Sequence, residues 1–172
     1  MVKYNLMGGG KMNKIIVYCI FSISFIFAHC QVPCGIYDDV RVIIEIEEHI
    51  QTIDKAMNNI LNITSKNQQN AQDMNQLVRW INTKEEHAQK IQNILMKYFL
   101  AQRIKPKQSS EDGYARYVDL TLLCQNIIYI SMKSKQTVEL SHLEELKILI
   151  DDLVKLYFDE HGIEHLRQLR EK

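Results

Sequence analysis

The sequence has 172 residues, 46% of them hydrophobic and 24% charged, with 21 basic residues balancing 21 acidic ones. The two signs are interleaved, so no basic stripe is available to follow a phosphate backbone, and nucleic acid is excluded as a partner. With only two prolines and six glycines, no repeat of fixed period and no low-complexity tract, what remains is one mostly helical domain.

The first 28 residues read as a secretory leader. Lys11 and Lys14 supply a positive start, residues 15–27 an apolar stretch, and Ala28 a small residue at the cut. The stretch falls short of the roughly 20 apolar residues of a membrane span, so cleavage by signal peptidase is expected rather than an uncleaved anchor. Ahead of Met12 the run Met7-Gly8-Gly9-Gly10 does not resemble a leader, and Met12 reads as the true start. Three lysines leave with the leader. The remaining 144 residues then carry 18 basic and 21 acidic side chains, a net charge of −3. The expected destination is exported, periplasmic or extracellular, with no stable membrane association after cleavage.

Cleavage after Ala28 makes His29 the mature N-terminus, followed by Cys30-Gln31-Val32-Pro33-Cys34-Gly35-Ile36-Tyr37. A terminal amine, an imidazole and two thiols then lie within six residues. The His29 amine and the Cys30 backbone nitrogen can close one five-membered chelate ring, and that nitrogen and the Cys30 sulfur another. Pro33 bends the chain and Gly35 permits a tight turn, so the Cys34 thiolate can return to the fourth position. The His29 ring can reach an axial position. Two nitrogens and two sulfurs in a plane suit Ni(II) or Cu(II) better than zinc. Nickel is the better reading, because Cu(II) beside two thiolates tends to oxidise them. The competing readings are a Cys30–Cys34 disulfide, favoured by an oxidising compartment, and a lipidated Cys30, disfavoured by the bulky His29 before it. With Cys19 removed, three cysteines remain. Cys124 falls on an apolar helix face and reads as a small buried hydrophobe.

Beyond the hook, four amphipathic helices are expected. The first runs from an N-cap at Asp38 to about Ser65, with Val42, Ile46, Ile50, Ile53, Met57 and Ile60 in one stripe. The second spans roughly 69–103, burying Met74, Leu77, Ile81, Ala88, Ile91, Leu95 and Phe99. Pro106 and the polar run to Gly113 break the chain. The third covers about 114–133, with Tyr117, Leu120, Leu123 or Cys124, Ile127 and Ile130 inward. The fourth begins near Val138 or Ser141 and carries Leu143, Leu146, Ile150, Leu153 and Tyr157. The fold expected is all-α, an antiparallel up-down four-helix bundle over residues 38–160 with the metal-binding hook at 29–37. Residues 161–172 read as a charged, frayed extension. His49 and His142 sit among acids and are expected to face water. His161 and His165 have ligand-like spacing but lack a third donor.

The run His29-Cys30-x-x-Pro33-Cys34-Gly35-x-Tyr37 resembles the N-terminal hook of nickel superoxide dismutases, whose pattern is HCxxPCGxY. The resemblance continues at Glu45, around Arg79 to Ala88, and at Tyr98-Phe99 with Lys105-Pro106 behind. It implies dismutation of superoxide to dioxygen and hydrogen peroxide by nickel cycling between +2 and +3 in a homohexamer. By position it assigns the metal to the His29 amine and imidazole, the Cys30 amide nitrogen and thiolate, and the Cys34 thiolate. It places Tyr37 at the mouth of the site, and Glu45 as a hydrogen-bond partner of the His29 ring. Two departures stand out. Gln31 replaces a frequent Asp, and His87 falls where some members carry an arginine behind the histidine ring, so that support can depend on pH. Arg79 is a candidate brace for the hook or a neighbouring subunit, against a surface salt bridge. Trp80, Tyr98 and Phe99 read as packing residues. The competing function is a non-catalytic exported bundle that sequesters or delivers nickel or copper.

Overall fold

The computed structural model describes residues 37–171. The chain divides after Tyr37, and the leader and hook residues before Tyr37 lie outside the described part. Among the described residues every regular element is helical: α1 Asp39–Thr64, α2 Ala71–Ile94, a π-helical segment Leu95–Arg103, α3 Tyr114–Gln136, α4 Ser141–Tyr157 and α5 Glu160–Arg170. None of these helices is long and apolar enough to cross a membrane.

The helices begin where local chemistry satisfies their first N–H groups. Asp38 caps α1, its carboxylate accepting from the Arg41 N–H at 3.1 Å. Asn70 and Asp73 form a reciprocal capping box on α2, and Asp159 accepts from Gly162 to start α5. Gly113, at φ +79°, supplies the left-handed residue before α3, where a side chain would be strained.

Helix α1 packs on α2 and α4, and α3 packs on α2 and α4, so the four long helices enclose one core. Its fully buried members include Ile43, Ile46, Ile53, Met57, Ile91, Leu95, Phe99, Ile127, Leu143, Leu146 and Leu153. The expected stripes of α1, α3 and α4 are largely there, and Cys124 rather than Leu123 takes the buried register on α3.

Three expectations need correction. Met74 and Ile81 are exposed, at 47% and 37%; full burial on α2 begins only at Lys84 and is carried by Lys84, Ala88 and Ile91. His49 is buried, since it continues the line of Ile46, Ile50 and Ile53 despite its acidic neighbours. The C-terminal segment is a helix folded back on α1, not a frayed tail. Leu166 is buried, and Arg170 binds the Glu47 carboxylate while standing 3.5 Å from Asp151.

Lys84 enters the core between α2 and α3. Its ammonium donates to the carbonyls of Ser134 (2.8 Å) and Lys135, which the end of α3 would otherwise leave unpaired. Burial pushes its pKa down.

Candidate metal centre and the residues behind it

His29, Cys30 and Cys34 lie outside the described residues. Tyr37, the last residue of the hook pattern, is described and is 39% exposed. It is joined through Asp38 to Asp39, the first residue of α1.

The two aspartates differ in what they serve. Asp38 caps its own helix, whereas Asp39 faces three partners from distant elements. Arg103 donates to it through Nε at 2.8 Å and through a terminal nitrogen at 2.5 Å. The Tyr157 hydroxyl donates at 2.7 Å, and the Tyr98 hydroxyl binds the other carboxylate oxygen. A half-buried carboxylate thus receives a two-pronged guanidinium and two phenols, the geometry of a strong charge-assisted cluster. Burial pushes the Asp39 carboxyl up, but the bonds from Arg103, Tyr98 and Tyr157 together outweigh it and hold it below the usual carboxylate range. Burial and the bond to Asp39 raise both phenols, Tyr157 to about 12.

The predicted supporting residues lie farther along α1 and on α2. Glu45 is exposed on α1, its Oε1 3.8 Å from Nε2 of His49 one turn on, beyond hydrogen-bonding distance. The buried His49 ring meets the ring of His87 edge-on, centroids 4.8 Å apart at 86°. Nε2 of His49 and Nδ1 of His87 are both buried, and neither has a hydrogen-bond partner among the described residues. Burial lowers the pKa of His49 to about 4, aided by His87 and Lys90 and opposed by Glu86. Burial likewise lowers that of His87. Both rings are therefore neutral near pH 7.

Glu45 and His87 are thus brought to one place, with His49 between them. Arg79 is not brought there. It is exposed and stands eight residues before His87, about 12 Å along the helix axis. Among the described residues no group of three or more His, Cys, Asp or Glu could hold a metal ion. His161 and His165 are exposed, and Glu164 between them is bound by Arg167 and Gln168. Sequence reasoning missed His49, although its position on the apolar stripe of α1 was a usable signal. It also missed Asp39, which carries no pattern of its own.

A family model for nickel-containing superoxide dismutase matches residues 25–161. The chain belongs to that family. The match begins ahead of the expected cut at Ala28, takes in the whole hook and runs to the first turn of α5. No individual curated protein and no solved structure matches the chain. The protein is accordingly a nickel-dependent oxidoreductase whose substrate is superoxide.

Proposed function

We propose that the enzyme is exported, is cut after Ala28, and holds nickel at the new terminus through the His29 amine and imidazole, the Cys30 amide nitrogen and thiolate, and the Cys34 thiolate. The observation that carries this reading is the family match across residues 25–161, which encloses a donor set suited to nickel. Thiolates and deprotonated nitrogens are strong donors, and such a mixed nitrogen–sulfur set favours a late divalent metal of planar habit. When bound, nickel would supply one-electron exchange between the +2 and +3 states.

The remaining work falls to the chain. Two superoxide anions and two protons give dioxygen and hydrogen peroxide, so one substrate must be accepted as an electron donor, the other as an electron acceptor, and protons must reach the second. The Tyr37 phenol would order water or the incoming anion at the mouth of the site. The Glu45 carboxylate would accept from the His29 ring N–H, fixing the ring's orientation and basicity. His87 would stand behind this pair as a neutral imidazole where some family members have a guanidinium. Arg79, exposed on α2, would brace the hook or a neighbouring subunit.

We also read the four long helices as an antiparallel up-down bundle over 38–160, with the hook at 29–37 and the charged extension at 161–172, since the connections at 65–70 and 137–140 are short. A homohexamer is the proposed assembly. Exposed apolar residues at helical spacing on α2, Met74, Val78 and Ile81, and on the outer faces of α3 and α4, Leu122, Tyr129 and Ile148, offer surface for subunit contacts.

Placing one alanine between Ala28 and His29, downstream of the cut, tests the ligand set. The extended protein should keep the far-ultraviolet circular dichroism of the helices and lose superoxide dismutation by at least about a thousandfold, a little over 4 kcal/mol of barrier. Full activity at full nickel occupancy would show that the terminal amine is not a ligand. Cys30→Ser or Cys34→Ser should lose activity to a similar degree.

A further inference from the structure

We propose that the π-helical segment Leu95–Arg103 and Tyr157 form a positioning device for the nickel hook, acting through Asp39. The inference rests on the reading that nickel is bound at residues 29–34. Tyr98 and Arg103 are five residues apart. On an α-helix that spacing puts two side chains about 140° apart, and they could not converge on one carboxylate. A π-helix closes its hydrogen bonds between residues five apart, which returns the fifth residue to nearly the same side. The Ile104 N–H bonds the Phe99 carbonyl at 2.8 Å in this register, and the Gln102 side chain bonds the Lys97 carbonyl at 2.8 Å. Tyr98 and Arg103 thereby reach Asp39 together, while Phe99 remains fully buried against the Tyr157 ring at 5.3 Å.

A π-helix of nine residues is unusual, since most are single turns inserted in α-helices and many occur at functional sites. Its energetic cost is offset here by the cluster it assembles. The position of that cluster is what gives it a role. Asp39 follows Tyr37 by two residues, with the N-cap Asp38 between, so whatever clamps Asp39 clamps the base to which the hook is attached. Holding the attachment point of the proposed ligand peptide to one position and direction would lower the ordering cost of closing it around a metal. Asp39 is proposed to act on the hook through the backbone that joins it to Tyr37, as a positioning residue.

The test uses the full-length protein, processed at Ala28 and loaded with nickel. Asp39→Asn and Arg103→Lys should each speed nickel loss to a competing chelator at least tenfold. They should also weaken the nitrogen hyperfine splitting that the His29 ring imposes on the electron paramagnetic resonance of oxidised nickel, with helical circular dichroism unchanged. Tyr157→Phe, which leaves the ion pair in place, should have a smaller effect in the same direction. Leu146→Ala, in the core about 16 Å along α4 from Tyr157, should lower the unfolding midpoint without changing nickel loss or the splitting. Equal effects from Leu146→Ala and Asp39→Asn would reduce Asp39 to general stability and overturn the inference. Wild-type behaviour in both Asp39→Asn and Arg103→Lys would also overturn it, with the hook reading intact. Failure of correctly cut wild-type protein to bind nickel would overturn both.

Discussion

Asp39 and His49 stand ten residues apart on the same helix, and the core treats them in opposite ways. Around Asp39 every oxygen is met by a donor from another element, and the group stays charged. Around His49 a ring nitrogen is buried without a partner among the described residues, and the group stays neutral. The difference teaches what each polar insertion contributes. A buried charge persists only when fully compensated, and its compensation then fixes the relative placement of α1, the π segment and the end of α4. A buried neutral imidazole costs less and specifies less, leaving its orientation to be set by Glu45, His87 or a further partner.

The largest effect is expected from Asp39→Ala. It takes the carboxylate away from the half-buried Arg103 guanidinium and from the Tyr98 and Tyr157 hydroxyls, and should destabilise the bundle by about 3–5 kcal/mol in urea unfolding. A loss below about 1 kcal/mol would place Asp39 among ordinary surface pairs.

The pH dependence separates the two groups by window. The folded pKa of His49 is lowered from 6.5 to about 4, so its contribution is complete above pH 6.5 and declines as pH falls toward 4. The loss should reach roughly 3 kcal/mol. Asp39 is lowered from 3.8; its contribution is intact above that value and lost only as pH falls through the folded pKa. Urea midpoints measured between pH 7 and 3 should therefore fall in two stages. A flat profile from pH 7 to 4.5 would contradict a buried neutral His49.

The smallest effect should come from His49→Leu, which replaces a buried ring, one nitrogen of which has no partner among the described residues, by an apolar side chain. Stability at pH 7 should change by less than about 1 kcal/mol, and the first stage of the pH profile should shrink. A loss near that of Asp39→Ala would mean that His49 has a buried partner of its own.

Much of the helical plan was legible. The stripe of α1 and the buried positions of α4 repeat at three and four residues, and Asp38, Gly113 and the polar run after Pro106 mark boundaries by local chemistry. The unbroken helix expected over 69–103 hid the π segment, because widening a helix by one residue per turn leaves no compositional trace; only its long-range consequence, Tyr98 and Arg103 on one carboxylate, reveals it. Met74 and Ile81 misled because periodicity gives a direction on a helix without saying whether a neighbour extends that far. The docking of α5 depends on Leu166 and, less deeply buried, Leu169 in a charged segment, too little for a pattern. For the site, the proposed hook rests on its donors and spacing and lies outside the described residues, and the proposed roles of Glu45 and His87 rest on resemblance. His49 was obscured by the acids around it, which signalled an exposed face.

Cys124 gives the enzyme a durability of its own. Its side chain is fully buried, and desolvation pushes the thiol up to about 12, so at neutral pH on the order of one molecule in 100,000 carries the thiolate. Peroxide oxidises thiolates, which attack its oxygen, rather than thiols. The enzyme releases peroxide with every pair of turnovers, and a reactive cysteine in its bundle would set a limit on working lifetime. A thiol kept protonated and out of solvent lets the scaffold outlast many cycles of its own product without a reductant to repair it.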